Sequence, residues 1–247
     1  MPHTKSFEAS DLSKEQLIEL IGLYSGEVLA HYGMWLAETA RRIGPQNALQ
    51  VEAKAVEKFF ASVGARLYPL FGIPVKDGLP VALLNKSREE LLICIGEIAK
   101  TWLASDGLWF QEVETEKGMI EAKTINDTCW SLFAKMEAFK IKRFLDLPDQ
   151  GGLEGLEAAL RFRIYSTINA HSSRWDEDGS LIFSMTECRV QSARRRKGLE
   201  NYSCKSAGLI EYGDFAKAID PKIKVECIWC PPDRTPDTEF CAWKFSI

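Results

Sequence analysis

The chain has 247 residues, 46% of them hydrophobic and 27% charged, which is ordinary globular composition and enough for one large domain or two modest ones. A net charge of −4 supplies no positive field for nucleic acid or an anionic membrane surface. No run of about 18 apolar residues is present to span a bilayer, and the opening MPHTKSFEASDLSKEQ has no apolar core for a signal peptide. The expected compartment is therefore the cytoplasm. There the seven cysteines serve as core thiols or metal ligands rather than disulfides.

The first half is organised by a repeat. Residues 13–44, SKEQLIELIGLYSGEVLAHYGMWLAETARRIG, align without a gap on 87–118, SREELLICIGEIAKTWLASDGLWFQEVETEKG, and the match runs on weakly to Pro74 and Pro148. Of 62 aligned positions 14 are identical, against roughly four expected from ordinary composition. Each copy reads as helical. Ser13 with Gln16, and Ser87 with Glu90, form capping-box pairs that satisfy the first backbone N–H groups. Apolar residues then recur at helical spacing: Leu17, Ile21 and Val28, and Leu91, Ile95, Ile98 and Trp102. Gly33 and Gly107 are expected to break this first helix, with Gly44 and Gly118 ending the next. A further helix carries Val56, Phe59, Phe60 and Val63 in one copy, and Trp130, Phe133, Met136 and Ile141 in the other.

These units divide the chain into an N-terminal copy (1–74), a linker (75–86) and an α+β segment (87–247), the last made of the second copy (87–148) and a sheet portion (149–247). In the sheet portion, GGLEGLEAAL begins a helix after a Pro/Gly-rich turn. INAHSSRW and SLIFSMTECRV form a hairpin turning at Asp178-Gly179. KSAGLIEYGDFAKAI reads as a helix, and KIKVECIW and EFCAWKFSI as two more strands. Helices packed on one face of a small antiparallel sheet are the expected architecture.

Three cysteines punctuate the final hairpin. Cys227 and Cys230 form a C-x-x-C at a strand end, Cys241 begins the returning strand, and Cys204 opens the preceding helix, where the dipole favours a thiolate. Four converging thiolates suit tetrahedral zinc and also admit an iron–sulfur cluster; four buried core cysteines are the plain alternative. A thioredoxin-like role does not fit, because this C-x-x-C enters a hairpin rather than a helix.

The run CKSAGLIEYGDFAKAIDPKIKVECIWCPPD followed by CAWKF resembles the end of the vinyl-reductase-type ligand-binding domain, a fold shared by phenol-sensing bacterial activators and Golgi-transport subunits. In the sensors a cysteine opening a helix, an acidic residue further on, a cysteine close behind it and a cysteine on the last strand bind zinc. That resemblance implies the same role for Cys204, Cys230 and Cys241, with Cys227 in the acidic residue's place. Over residues 87–247, DGLWF, CRVQSARRRKGL and CIWCPPD are similar to a family of uncharacterised prokaryotic cytosolic proteins. More distant is a similarity to proteins labelled L-2-amino-thiazoline-4-carboxylate hydrolases.

The expected function is binding of a small, partly apolar molecule, with the zinc structural. The second helical copy would cover the sheet and enclose a pocket lined by Trp109, Phe110 and Trp130 facing Phe183 and Met185. Glu112, Glu137 and Cys188 would point into it; Glu137 otherwise needs a partner such as Arg143 or Arg163. The pairs Trp35/Glu38 and Trp109/Glu112 recur in both copies at one-face spacing, for packing or binding. The rival reading is a hydrolase of small thiazoline- or amide-like substrates, using Cys188 or a glutamate. His171 is the candidate base, set against a core Cys188 and a surface His171. A third reading is an iron–sulfur redox protein. His31 has no counterpart in the second copy, where Ser105 stands, which argues against a shared metal role. ARRRKG (193–198) reads as a solvated turn, with an anion-binding lip second. Neither nucleic acid nor membrane is an expected partner, and a homodimer is compatible with the repeat.

Overall fold

The computed structural model describes residues 12–196, 198, 201–233, 236 and 238–247. The chain divides into two compact units, residues 1–60 and 61–247. Among the described residues no helix is long and apolar enough to cross a membrane.

Helices α1 (Lys14–Ile43) and α2 (Pro45–Leu70) have the same lengths, 30 and 26 residues, as α4 (Arg88–Lys117) and α5 (Met119–Phe144). Both long helices start from a complete capping box, at Ser13 and at Ser87. Both end at a glycine with positive φ, 83° at Gly44 and 86° at Gly118, a conformation that costs other residues. Gly33 and Gly107, expected to break these helices, lie inside them. One interior glycine costs about 1 kcal/mol relative to alanine, too little to interrupt so long a hydrogen-bonded run. In the first unit, the Tyr32 hydroxyl donates to Glu52 Oε1 at 2.7 Å. The expected linker carries a small hairpin, β1 (Val75–Lys76) and β2 (Leu79–Pro80), turning at Asp77-Gly78, and a short α3 (Val81–Leu84).

The sheet portion follows the predicted order. Helix α6 (Gly152–Leu160) precedes the hairpin of β3 (Ala170–Trp175) and β4 (Leu181–Glu187). Helices α7 (Arg189–Arg196) and α8 (Lys205–Ile219) come next, then β5 (Lys224–Trp229) and β6 (Cys241–Ser246). Of the basic run, expected as a turn, Ala193 to Arg196 form the last turn of α7, and Gly198 has positive φ. The four strands are antiparallel in the order β3-β4-β6-β5.

Alternation puts Leu181, Phe183 and Met185 of β4 on the face shared with Phe245, Trp243 and Cys241 of β6. That face receives α8, and α5 packs on α8 rather than on the strands. Residues 87–148, expected to cover the sheet, therefore reach it through α8 instead. Ala134 and Ala138 on α5 and Ala216 on α8 are fully buried, and side chains this small let the two helices approach closely. On the sheet side, the Tyr212 ring lies 4.7 Å from Trp243 and 5.8 Å from Phe183.

The closest approach is at Gly208. A Cβ there would stand 2.6 Å from Trp243 Cζ2 and 2.8 Å from Cη2. Trp243 is wholly buried and cannot give way, so the helix–sheet distance requires glycine. Gly208→Ala should destabilise the protein by about 1–3 kcal/mol through overpacking. Thermal unfolding followed by circular dichroism checks this, and an unchanged midpoint would contradict the packing.

Candidate functional site

The four cysteines predicted as ligands come to one end of the sheet. Cys227 pairs with Trp243, and Cys241 with Met185, so both side chains lie on the α8-facing side. As a diagonal pair across β5 and β6, their Cα atoms stand about 7–8 Å apart. A register shift between Cys227 and Trp229 bends β5 as it leaves toward Cys230. Cys204 is the N-cap of α8. The Lys205 N–H donates to the Pro231 carbonyl at 2.9 Å, and Lys205 Nζ meets Asp233 Oδ2 at 2.7 Å, which ties the hairpin to the start of the helix.

The Cys230 thiol is hydrogen-bonded to both Cys204 and Cys241, and these bonds push its pKa up. Cys204 moves the opposite way: the Cys230 bond, with help from Gln191, lowers its pKa against the effect of burial. Burial raises the half-buried Cys227. All four are free thiols. As they stand the sulfurs do not close on one point: among the described residues no group of three or more His, Cys, Asp or Glu side chains is set to hold a metal.

No motif or spacing pointed to Gln191. Buried on α7, it donates from Nε2 to the Tyr202 carbonyl at 2.8 Å and to Cys204 Sγ at 3.0 Å, and accepts from the Tyr202 N–H at 2.8 Å. It thus fixes the approach to α8 and aims an N–H at the sulfur, an arrangement that favours a thiolate.

Cys188 and His171 are not brought together. His171 pairs with Met185 and lays its ring on Phe183 at 5.2 Å, whereas Cys188 follows the end of β4. No hydrogen bond joins them among the described residues. Burial lowers the His171 pKa and raises that of Cys188 to about 12, so the thiol is protonated at neutral pH.

The expected pocket is replaced by packed and ionic contacts. Trp109 is 73% exposed and Glu112 is exposed as well. Phe110 meets the Tyr202 ring edge-on at 5.3 Å, and Trp130 packs edge-on against Trp102 and Phe133. Phe183 and Met185 are buried in the core beneath α8.

Glu137 is engaged by Arg163, one of its two anticipated partners. Its Oε2 accepts from Arg163 Nε at 2.8 Å and stands 2.8 Å from Nη2 in the ion pair, where Nη2 makes no hydrogen bond, and its Oε1 accepts from the Ile164 N–H at 2.6 Å. The other side of the guanidinium donates to Glu211 Oε1 and to the Tyr165 hydroxyl, both at 2.6 Å. Tyr165 in turn donates to Glu211 at 2.7 Å. The rings of Tyr165 and Phe215 lie 4.5 and 4.6 Å from the guanidinium carbon. Burial opposes the Arg163 charge, but Glu137, Tyr165 and Glu211 outweigh it and hold its pKa well above the ordinary value. Burial also raises Glu211, against the pull of Arg163.

Residues 83–247, about two thirds of the chain, match a family of unknown function (DUF6125). The chain belongs to that family. No curated protein and no solved structure matches it. The DUF6125 match begins just ahead of the Ser87 cap, so it takes in the whole Arg163 network and all four hairpin-end cysteines.

In this DUF6125 chain, removing one carboxylate from the network strands a buried guanidinium. Glu137→Ala should therefore cost about 3–5 kcal/mol of unfolding free energy in urea titration. A ligand-contact role would leave stability nearly unchanged. Glu211 gives a pH signature. Its pKa is raised on folding, so the stability it contributes is full below its unfolded value of about 4.3 and is lost as pH rises through the folded value. Glu211→Gln should flatten that decline in a pH series of melting curves.

Proposed function

We propose that the DUF6125 segment is a small-molecule-binding domain whose terminal hairpin is stapled to α8 by one zinc ion on Cys204, Cys227, Cys230 and Cys241. The observation that carries the metal half is the approach of free thiols from the cap of α8, the end of β5 and β6, with Cys227 and Cys241 on one sheet face and Cys230 bonded to Cys204 and Cys241. The donor set fits the ion: soft sulfur ligands, one at a helix N-terminus and already receiving an amide N–H from Gln191. A four-thiolate zinc contributes folding free energy and leaves no open position for water.

Binding rather than hydrolysis is favoured by Cys188, whose thiol is held up at about 12 and has no base beside it. The resemblance of the C-terminal run to the vinyl-reductase-type domain supports a ligand as well.

Elemental analysis of protein made with zinc in the medium should give about one zinc per chain. A double Cys230→Ser, Cys241→Ser variant should hold none, and a strong chelator should lower the melting temperature and speed amide exchange in β5 and β6. Protein without metal, melting as its serine variant does, would overturn the reading. Iron with acid-labile sulfide would replace zinc by a cluster.

We also propose that residues 13–74 and 87–148 are copies of one unit. The equal helix lengths, paired capping boxes and matching glycine ends support this. The shared glutamate is used differently: Glu38 bonds Arg41 and Arg42, and at the corresponding positions 115 and 116 stand Thr and Glu. An experimental structure should superpose Trp35 on Trp109 and Glu38 on Glu112; unrelated positions would refute the duplication.

A further inference from the structure

Helix α1 spans 30 residues, yet among the described residues it buries none. Its neighbour α2 buries only Ala48, Leu49 and Glu52. A helix owes most of its stability in a protein to the packing of one face rather than to its own propensity. The seam between α1 and α2 is thus too small a cover for the apolar surface that α1 carries.

The uncovered residues are ordered. Lys14, Leu17, Ile21, Tyr24, Val28, His31, Trp35 and Glu38 follow one another at alternating steps of three and four. All of them are exposed, Trp35 by 66%. This unbroken heptad spacing draws one seam along the helix, the pattern by which two helices supercoil and interlock. Tyr32 marks the side turned to α2: its hydroxyl reaches Glu52 and its ring lies 5.9 Å from Phe59. α2 therefore leaves the seam open.

A second observation comes from the aligned helix. Val28 aligns with Trp102, and there the same seam position is covered. The Trp102 ring stacks on Phe133 at 5.5 Å and lies 6.4 Å from Tyr165, which belongs to the segment after α6. Among the described residues the first unit contains no such segment.

The charges at the two ends of the seam say what fits it. Parallel pairing of two α1 helices would set Lys14 against Lys14 and Glu38 against Glu38, and would gather both copies of Arg41 and Arg42 at one end. Like charges so placed repel. Antiparallel pairing over the whole seam sets Lys14 against the partner's Glu38 and parts the arginines. It also sets Leu17 against the partner's Trp35, Ile21 against its His31 and Tyr24 against its Val28. The exposed apolar members offer roughly 400–500 Å² per chain. With flanking residues a pair covers about 1,000 Å², which is what a specific interface needs.

We propose that the protein is a homodimer in which α1 pairs with α1 of a second chain as an antiparallel coiled coil. The same patch serves on both chains, so the contact closes at two and does not propagate. It is independent of the zinc and of any ligand.

Sedimentation equilibrium of the full chain should give twice the chain mass, with monomer appearing only on dilution. Val28→Asp puts a carboxylate against the partner's Tyr24 in both halves of the seam, and should weaken the dimer by roughly tenfold or more with zinc content unchanged. Because that variant can also unravel α1, a charge exchange decides the register. Lys14→Glu and Glu38→Lys should each weaken the dimer by about threefold or more, and the two together in one chain should restore it. A chain that stays monomeric at high micromolar concentration overturns the proposal, and vesicle flotation then tells a lipid occupant from another protein. A dimer unmoved by Val28→Asp, or one that the charge exchange does not restore, overturns it as well.

Discussion

Arg163 is the residue on which the rest of the larger unit depends. Its side chain is fully buried, and a buried guanidinium is tolerated only where its charge and donors are met. The partners come from three elements: Glu137 from α5, Tyr165 from the segment after α6, and Glu211 from α8. No two of these elements can separate without stranding a charge. Apolar packing in the same region tolerates volume-conserving exchange, whereas this network fixes which side of α5 meets which side of α8. Burial raises the Glu211 pKa against the pull of Arg163, with Glu137 adding to the rise, and that is the visible cost of placing a second carboxylate beside the guanidinium.

With α5 and α8 locked, the other features fall at defined places around α8. Gly208, Tyr212, Phe215 and Ile219 recur at helical spacing and form the stripe that meets the core, with Trp243 pressed onto the glycine. Leu209, Ile210, Gly213 and Lys217 line an open groove beside α5. Cys204 caps the N-terminus against the terminal hairpin. One helix of 15 residues thus presents a core, a polar groove and a thiol cluster in three directions. A shift of α8 along its axis by one residue would disturb all three, which is why the close contact at Gly208 matters beyond its own packing.

What the sequence made legible were features that act locally. Capping boxes at Ser13 and Ser87, the Asp178-Gly179 turn and the bounds of α8 each depend on neighbours a few residues away, and each appears where expected. The breaks expected at Gly33 and Gly107 did not appear, because the hydrogen bonds of a long helix outweigh one weak residue. Partner choice was harder. Arg163 lies 26 residues from Glu137, and spacing alone could not rank it above Arg143. Gln191 had no signal at all, since its role is set by a loop 11 residues on that only the folded chain brings back. The position of α8 between α5 and the strands likewise follows from tertiary packing, and it moved the aromatic residues of α4 away from the sheet.

Two carboxylates of α5 invert the usual expectation about which acidic side chain the fold satisfies. Glu137, on an apolar face, looked like the unsatisfied group, but the fold supplies a donor to each of its oxygens and a guanidinium charge beside it. Asp127, on a polar stripe that reads as solvated surface, keeps a buried oxygen without a donor. The difference lies in the neighbours. Around Glu137 the chain provides a guanidinium and a backbone N–H, whereas the hydroxyls of Thr124 and Thr128, on either side of Asp127 in the helix, have given their protons to helix carbonyls.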